Sequence, residues 1–530
     1  MDTASFLRRR RLLQWAWASA GSASLGLPTR AWAQLRTEHN PFALGVASGS
    51  PAHDSVVLWT RLLLREGQAS ATGTVSVRWE VAHDEQFSRV VQAGQSLAPA
   101  GLAHAVHVEV QGLEADRWYF YRFAVGDALS ATGRTRTLPA PHAVVARLRL
   151  AYASCQRWEH GYFSAYRHMR AENLDLVMFL GDYVYEYPTA SNAVRVPMGG
   201  WVVTLDDYRQ RYALYKSDAD LQAMHAACPW LVTWDDHEVQ NDYAGLTEGN
   251  SGPPVPDFAA RRAAAYQAFY EHMPVRAAVL TRAVAGLASG AGMRIYERMN
   301  FGRLASLYML DARQYKDAQV CTRDGKKGSS TLNPVTCASW NEPARSMLGR
   351  PQEQWLEAEL ARAASRETGW NVLGQQSLFG QRDFQRGAGQ TLWNDGWDGY
   401  AAARTRLTGA LQKNAVANPV LLGGDVHENW VGHVKADYTD AASPTIGVEF
   451  CGTSITSRSA GNAKIPETLA ENPHFVFADS ERKGYGVVEL TPQRISTTLR
   501  VVSDVTRQDS GLETLARFSV QAGSPVIERT

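Results

Sequence analysis

An apolar run that stops abruptly at Gly181-Asp182 constrains this chain more than any other feature. Residues 174–180 have the length and the unbroken apolar character of a short strand that is covered on both faces. Ligands of open α/β sheets bind just beyond the carboxyl ends of such strands. We therefore predict that Asp182 lies at a ligand-binding sheet edge, with Tyr185 close behind it.

Three further strand-like runs also end in residues that bind cations. They are residues 149–154 before Cys155, residues 230–234 before Asp235-Asp236-His237-Glu238, and residues 419–424 before Asp425-Val426-His427. Each ending has an ordinary explanation when taken alone, such as a buried thiol or a solvated turn. Dense carboxylates after an apolar strand are nevertheless costly unless a cation binds there. The joint pattern predicts one polynuclear metal site assembled from segments that are distant in sequence.

The types of the candidate ligands restrict the metal. The thiolate of Cys155 is a soft ligand that favours iron or zinc over calcium or magnesium. The phenol of Tyr185 ionises near neutral pH only beside a strong Lewis acid, and iron(III) is such an acid. Arg157 could neutralise an anionic substrate or pair with a surface acid. Asn241 could supply a neutral oxygen ligand or a hydrogen-bond donor to a phosphoryl oxygen.

Length and charge exclude several classes of protein. A chain of 530 residues exceeds one ordinary core, so two or more domains are expected. The formal net charge is +1, which provides no strong field toward nucleic acid or anionic lipid. We therefore predict no nucleic-acid partner.

Residues 1–33 have the pattern of an export signal. Four arginines at positions 8–11 precede Leu12-Leu13, a weakly apolar run and Ala31-Trp32-Ala33. This order describes a signal peptide, and the paired arginines resemble a twin-arginine signal. A disordered basic tail is the alternative. The prediction is a periplasmic or secreted protein that meets the twin-arginine export machinery and has no stable membrane insertion after cleavage, because the apolar run is too short to span.

The spacing of hydrophobic residues divides the remaining chain into two domains and a tail. Residues 34–140 contain several short alternating strands, at 55–60, 74–81, 104–110, 118–125 and 130–138, which predict a small all-β, immunoglobulin-like sandwich without chemistry of its own. Residues 141–505 alternate between strands and helices, which predicts a layered α/β catalytic domain. Its helices are expected at 161–173, 257–272 and 351–366, and its further strands at 301–310, 370–373, 484–490 and 495–503. Residues 506–530 form a tail in which 511–517 are weakly helical.

Two loops leave alternatives open. Residues 382–400 carry Trp393, Trp397 and Tyr400, which either line a substrate mouth or form a satellite core beneath the loop. Cys321 and Cys337 flank a loop rich in glycine, serine and lysine. In an exported protein they are expected to form a disulfide, and two free thiols are the alternative.

The motifs together resemble a known family. They are Ser154-Cys155-Gln156, Leu180-Gly181-Asp182-Tyr183-Val184-Tyr185-Glu186, Trp234-Asp235-Asp236-His237-Glu238, Asn241-Asp242 and Gly424-Asp425-Val426-His427-Glu428. In this order they look like the motifs of the PhoD-type alkaline phosphatases, which belong to the calcineurin-like metallophosphoesterases. The likeness extends from about residue 41 to residue 503 and implies a metallophosphoesterase-type sandwich.

The resemblance also implies ligands and roles. It implies iron(III) bound by Cys155, Asp182, Tyr185 and His427, and calcium bound by Asp182, Asp236 and Asp425. His237 and Asn241 would face the phosphate, and the role of Asp235 stays open. We count Arg157 with His237 and Asn241 as the candidate catalytic residues. The expected reaction is hydrolysis of small-molecule phosphate esters by a metal-bound hydroxide. A phosphodiesterase or phospholipase on the same site is the near alternative, and a non-catalytic exported binding protein is the distant one.

Overall fold

The structure is a computed structural model that describes residues 39–64, 73–196, 199–280, 292–365, 368–440 and 442–530. The predicted signal peptide, residues 1–33, lies outside the described residues. By compactness the chain divides into two units. Unit 1 comprises the chain through Pro139, Leu205–Leu231 and Ala263–Arg294, and unit 2 comprises Ala140–Thr204, Val232–Arg262 and Ile295–Thr530.

The described part of the chain is mixed α/β. Its strands are β1 (Val46–Gly49), β2 (Ser55–Arg61), β3 (Thr74–Ala82), β4 (Val90–Pro99), β5 (Ala105–Gln111), β6 (Trp118–Val125), β7 (Ala128–Leu129), β8 (Gly133–Arg136), β9 (Leu148–Ala153), β10 (Leu176–Phe179), β11 (Trp230–Val232), β12 (Glu297–Phe301), β13 (Ala305–Met309), β14 (Thr331–Leu332), β15 (Trp370–Gly374), β16 (Leu392–Trp393), β17 (Pro419–Gly423), β18 (Asn429–Lys435), β19 (Thr445–Cys451), β20 (Phe475–Asp479), β21 (Lys483–Leu490), β22 (Arg494–Val502), β23 (Leu512–Gln521) and β24 (Glu528–Arg529). Its α-helices are α1 (Ser164–Arg170), α2 (Leu205–Lys216), α3 (Ala219–His225), α4 (Phe258–His272), α5 (Arg350–Ser365), α6 (Ala401–Lys413) and α7 (Ile465–Glu471).

Unit 1 is built largely from antiparallel strands. Strands β11, β1, β2 and β5 are neighbours in that order, and β4, β3, β6 and β7 form a second series in which β8 pairs with β6. Alternate residues of these strands, such as Val56, Leu58, Val75 and Val77, are buried in one hydrophobic cluster. The predicted strands at 55–60, 74–81, 104–110 and 118–125 are confirmed. Strand β4 was not predicted, because half of its residues are exposed and its apolar alternation is weak.

Unit 2 contains two larger series of strands. One has the order β24, β23, β22, β21, β9, β10, and the other has the order β12, β13, β15, β17, β19, β18, β20. Strand β9 is parallel to β10, and β13, β15, β17 and β19 form successive parallel pairs. The two series contact each other at Gly374 of β15 and Met178 of β10. The contact is so close that a Cβ atom added to Gly374 would lie 2.5 Å from the Met178 side chain. The carboxyl ends of β9, β10 and β17 lead directly into Cys155, Asp182 and Asp425, as the sequence predicts.

Two predicted elements of unit 2 differ in the structure. The strand predicted at 301–310 is shorter: β13 covers Ala305–Met309, and Phe301 is the last residue of β12. The two strands form a hairpin because the chain reverses at Gly302, whose φ of 56° suits glycine. Residues 511–517, predicted as weakly helical, belong to strand β23, which pairs along its length with β22. Ala516, Phe518 and Val520 are buried at alternate positions of β23. Tertiary pairing therefore overrides the local helical preference.

The two loop alternatives are resolved by burial and bonding. Trp397 and Tyr400 are fully buried in a hydrophobic cluster that also contains Phe379 and Leu407, so they form core rather than a substrate mouth. Trp393 is 37% exposed.

Cys321 and Cys337 form the expected disulfide, with their Cα atoms 5.9 Å apart.

Across the described residues, no helix combines the length and the apolar character that crossing a membrane requires.

Candidate metal centre

The candidate site lies entirely in unit 2, at the ends of strands β9, β10 and β17 and in the segment that follows β11. Four of the predicted ligands have left-handed backbones, with φ values of 58° at Cys155, 58° at Asp182, 65° at Asp425 and 59° at His427. Such values are uncommon in residues other than glycine, and strained positions of this kind cluster at functional sites. The tight turns allow side chains from separate strands to converge.

The predicted iron ligands are brought together. Ligand atoms of Cys155, Asp182 and His427 all lie within 4.8 Å of one another. The phenol oxygen of Tyr185 lies 2.9 Å from Asp182 Oδ2 and 3.3 Å from His427 Nε2. One thiol, one carboxylate, one phenol and one imidazole therefore surround a common point.

Burial disfavours the ionised forms of these groups when no cation is bound. It raises the pKa of the Cys155 thiol, the Tyr185 phenol and the Asp182 carboxyl well above their ordinary values, and neighbouring acids add to the effect. His427 Nδ1 donates to the carbonyl oxygen of Arg458 at 2.9 Å. In the neutral imidazole the free lone pair is therefore on Nε2, the nitrogen that lies near the Tyr185 oxygen. Burial and the charge of Lys483 lower the pKa of His427 to about 3, so the imidazole is neutral, as a metal ligand must be.

Three further groups of acidic side chains adjoin this point. Each has ligand atoms within 4.8 Å of one another, and the groups are Asp182 with Asp236 and His237, Asp235 with Asp236 and Asp425, and Asp236 with Asp242 and Asp395. The buried oxygens Asp235 Oδ2 and Asp236 Oδ1 have no hydrogen-bond partner among the described residues. Buried charged oxygens without partners are costly, and hard cations such as calcium take oxygen ligands of this kind. The donor set therefore fits metal ions.

Arg313 belongs to the candidate site, although the sequence interpretation missed it. Its guanidinium is buried, donates to Asp235 and Asp395, and lies within 3.8 Å of Asp236 and Asp425. One oxygen of Asp235, the residue whose role was left open, is thus held by an internal cation. Arg313 follows strand β13 with Leu310-Asp311-Ala312 between them, the same succession of apolar strand and polar turn that marked the predicted ligands.

His237, Asn241 and Arg157 lie near the acidic groups in different settings. His237 Nδ1 lies 2.7 Å from Glu186 Oε2, and the other Glu186 oxygen accepts from the backbone N–H of Asn241 at 2.8 Å. Burial lowers the pKa of His237, but Glu186 and neighbouring acids outweigh it and raise that pKa well above its ordinary value. The Arg157 guanidinium pairs with Glu159 at 3.0 Å and lies 4.6 Å from the Tyr187 ring centroid.

Glu238 holds two ligand-bearing turns together. Its carboxylate accepts backbone hydrogen bonds from Asp182 at 3.1 Å, Tyr183 at 2.7 Å and Asp235 at 2.8 Å. Burial raises the pKa of Glu238 to about 7 against the effect of these donors. The sequence interpretation counted this carboxylate among the cation-binding residues after β11. In the structure its oxygens instead accept backbone hydrogen bonds.

Residues 452–459, which we call the serine loop, follow strand β19 and contact three ligand-bearing segments. Ser457 bonds to Cys155 and Tyr185, and the Arg458 carbonyl accepts from His427. Sequence reasoning overlooked this loop, although its run of Gly, Thr and Ser after an apolar strand was a visible signal.

Known proteins resemble this chain over most of its length. The family PhoD-like phosphatase matches residues 150–499, and the family PhoD-like phosphatase, N-terminal domain, matches residues 28–139. Alkaline phosphatase D of Bacillus subtilis (strain 168) is 44% identical over 531 residues, covering 97% of this chain and 87% of that protein. A solved structure described as the structure of PhoD superposes with a TM-score of 0.85 at 42% identity, covering 93% of both chains.

The family match covers well over half of the chain, and the relatives agree with it over nearly the whole length. The resemblance predicted from the motifs is therefore confirmed. The chain belongs to the PhoD-like phosphatase family and is a phosphoric ester hydrolase.

Proposed function

We propose that this protein is an exported, metal-dependent phosphatase that hydrolyses small-molecule phosphate esters. The observation that carries the proposal is the convergence of Cys155, Asp182, Tyr185 and His427 on a common point beside three groups of acidic side chains. The name of the Bacillus subtilis relative, alkaline phosphatase D, supports the phosphatase reading.

Iron(III) fits the first group of donors. Thiolate and imidazole ligands suit iron, and a phenolate becomes available only beside a strong Lewis acid. Cys155, Asp182, Tyr185 and His427 would hold this ion. Their burial is the supporting observation, because anionic sulfur and phenolate oxygen are expensive in a dry site without a cation.

Calcium fits the acidic groups, which offer carboxylate oxygens. Asp182, Asp236 and Asp425 would hold it, and Asp242 and Asp395 extend the set beyond the predicted ligands. When bound, the ions would acidify a water molecule and neutralise phosphoryl oxygens.

The side chains of the protein then orient the ester. The amide of Asn241 is partly exposed and would donate to a phosphoryl oxygen, and Arg157 would add its positive charge. Glu186 fixes Nδ1 of His237, so Nε2 is the nitrogen available to the substrate and would donate to the leaving oxygen.

The finer fold and the location belong to the same proposal. We assign unit 2 to a layered metallophosphoesterase-type sandwich and the N-terminal strands to an immunoglobulin-like sandwich. Residues 1–33 would direct export through the twin-arginine machinery to the periplasm or the exterior. Residues 506–530 would then be a C-terminal extension that contributes the strands β23 and β24.

Metal analysis of the mature protein, purified from an exporting host, tests the proposal. We expect one iron and at least one calcium per chain, together with a visible absorption band from thiolate or phenolate bound to iron. Turnover of an aryl phosphate monoester should exceed that of the matching aryl diester. A colourless, iron-free and fully active enzyme would contradict the iron assignment, and faster turnover of the diester would favour the phosphodiesterase.

A further inference from the structure

The serine loop places one buried hydroxyl at the meeting point of two predicted ligands. Ser457 Oγ lies 2.7 Å from the phenol oxygen of Tyr185 and 2.8 Å from the carbonyl oxygen of Cys155. The backbone N–H of Arg157 donates to the same hydroxyl at 3.2 Å. Ser457 has no exposed surface, so water does not compete for these contacts.

The hydrogen-bonding capacity of a serine determines how these contacts are shared. A hydroxyl has one proton to donate and two lone pairs that accept. Arg157 N–H uses one lone pair, and a carbonyl oxygen only accepts. The single proton of Ser457 therefore goes either to the Cys155 carbonyl or to the oxygen of Tyr185.

The phenol of Tyr185 has a second partner that fixes this choice. Its oxygen lies 2.9 Å from Asp182 Oδ2, which takes the proton of a neutral phenol. Once a cation binds the oxygen in place of that proton, the phenolate accepts hydrogen bonds only. Ser457 is then the adjacent hydroxyl donor, and the backbone N–H groups of Thr456 and Ser457, at 3.4 Å and 3.2 Å, continue to satisfy the Cys155 carbonyl.

We propose that Ser457 is a positioning residue that donates a hydrogen bond to the metal-bound oxygen of Tyr185. This bond would limit how strongly that oxygen donates electrons to the metal. The inference rests on the proposed function, because it requires a phenolate ligand. A hydrogen bond to a phenolate stabilises its lone pairs and thus raises the energy of charge transfer to the metal. Ser457 would also hold the Tyr185 and Cys155 segments at a fixed separation.

The visible band of the iron-loaded protein tests this role independently of activity. We expect Ser457→Ala to move the band, normalised to iron content, to longer wavelength and to shift the tyrosinate modes in resonance Raman spectra excited within it. Ser457→Thr should keep the wild-type band, because it retains the hydroxyl.

Thr456→Val is the matched control. Thr456 lies in the same loop, and its hydroxyl reaches the Arg157 carbonyl at 2.7 Å rather than the phenol. Each variant deletes one hydroxyl that bonds to the same segment. Melting temperatures of both variants close to that of the wild type would show that neither disrupts the fold.

The outcomes separate this inference from the function on which it rests. A coloured wild-type protein whose band is unchanged in Ser457→Ala would overturn the role of Ser457 and leave the iron site standing. The same conclusion follows if Ser457→Ala loses iron and Ser457→Thr does not restore it, or if Thr456→Val shifts the band equally. An iron-containing wild type without tyrosinate modes would overturn the role of Ser457, because no phenolate would be bound. An iron-free wild type would overturn both the role of Ser457 and the iron assignment, and would leave the phosphatase activity to be judged by turnover.

Discussion

Two buried polar groups of opposite composition lie in the two units. The acidic group of unit 2 consists of Arg313 with Asp182, Asp235, Asp236, Asp242, Asp395 and Asp425. The basic group of unit 1 consists of Glu271 with Arg61, Arg209, Lys216, His225 and His272. Both groups contain charges of one sign in excess, and only the acidic group has the features of a ligand site.

The basic group is accommodated by partners within the protein. Arg61 Nη1 lies 2.6 Å from His272 Nε2, and Glu271 pairs with Arg209 at 2.6 Å. The Lys216 ammonium lies 4.3 Å from the Trp59 ring centroid. Burial lowers the pKa of Lys216 to about 7 and that of His272 well below its ordinary value, so these bases shed their charge on folding.

The acidic group is not accommodated in the same way. Arg313 serves several carboxylates at once, yet Asp235 Oδ2 and Asp236 Oδ1 remain unpartnered among the described atoms. The side chains also converge from left-handed turns at strand ends. Burial of charge therefore does not by itself identify a site; convergence of ligand atoms that stay unsatisfied does.

Removing a central carboxylate should give the largest effect. Asp182 contributes to two of the candidate metal groups, so Asp182→Asn is expected to lower kcat/KM by about 10⁴-fold, or about 5 kcal/mol. Steady-state hydrolysis of an aryl phosphate checks this. Asp509→Asn, at an exposed carboxylate that pairs with Arg507, is the control and should change kcat/KM less than twofold. A comparable rate in Asp182→Asn would remove the acidic group from the active site.

Deleting the internal cation tests how the acidic group is stabilised. Arg313→Met leaves Asp235 without its counter-ion, whereas Asp395 keeps Lys316, and breaking a buried pair from one side costs about 3–5 kcal/mol. Urea unfolding at a fixed metal concentration should show this loss. An unfolding free energy within about 1 kcal/mol of the wild type would mean that bound metal and Lys316 neutralise the carboxylates without Arg313.

Acidification should destabilise unit 1 through its neutral histidines. Burial lowers the pKa of His107, which lies 2.9 Å from the Met273 carbonyl, from 6.5 to about 4. The unfolded state therefore binds the proton first as the pH falls below 6.5, and stability decreases until about pH 4. The contribution of His107 amounts to about 3 kcal/mol across that window and is absent above pH 6.5.

A double comparison isolates that contribution. The unfolding free energies of the wild type and of His107→Asn are measured at pH 7.5, 6.5 and 5.5, and the loss of stability between pH 6.5 and 5.5 should be smaller in the variant by about 1 kcal/mol. Parallel slopes would show that His107 is protonated equally in the folded and unfolded states.

The part of the site in which ligands follow apolar strands could be predicted from the sequence. Strands β9, β10 and β17 and their endings at Cys155 and Asp182 were readable, because a buried parallel strand has a continuous apolar signature. Arg313 was not readable as a partner, since it lies 78 residues from Asp235 and an arginine alone has many roles. Ser457 reaches Cys155 across 302 residues. Such contacts are set by packing rather than by local pattern.

The same reasoning explains one wrong element and one alternative that stayed open. Strand β23 has a locally weak pattern and becomes a strand because β22 offers a paired edge. For Trp397 and Tyr400, in a glycine-rich loop, the sequence left a substrate mouth and a core equally open, and the structure places their rings in the core beside α6. In both cases the decisive partner lies outside the window that a local pattern examines.

Neutralising the basic group should give the smallest effect and the opposite sign. Folding forces Lys216 to give up a proton that the unfolded chain retains until pH 10.5, because burial lowers its pKa to about 7. Lys216→Met removes that cost while keeping the apolar stem over Trp59. Linkage sets an upper limit of about 4 kcal/mol on the gain in unfolding free energy at pH 7.5, of which about 1 kcal/mol is expected after the buried site adapts to methionine. The gain should shrink at pH 9.5, where the unfolded lysine holds its proton less firmly. Unchanged kcat/KM would mark the basic group as structural, whereas a tenfold loss would mean that buried bases of unit 1 also serve catalysis.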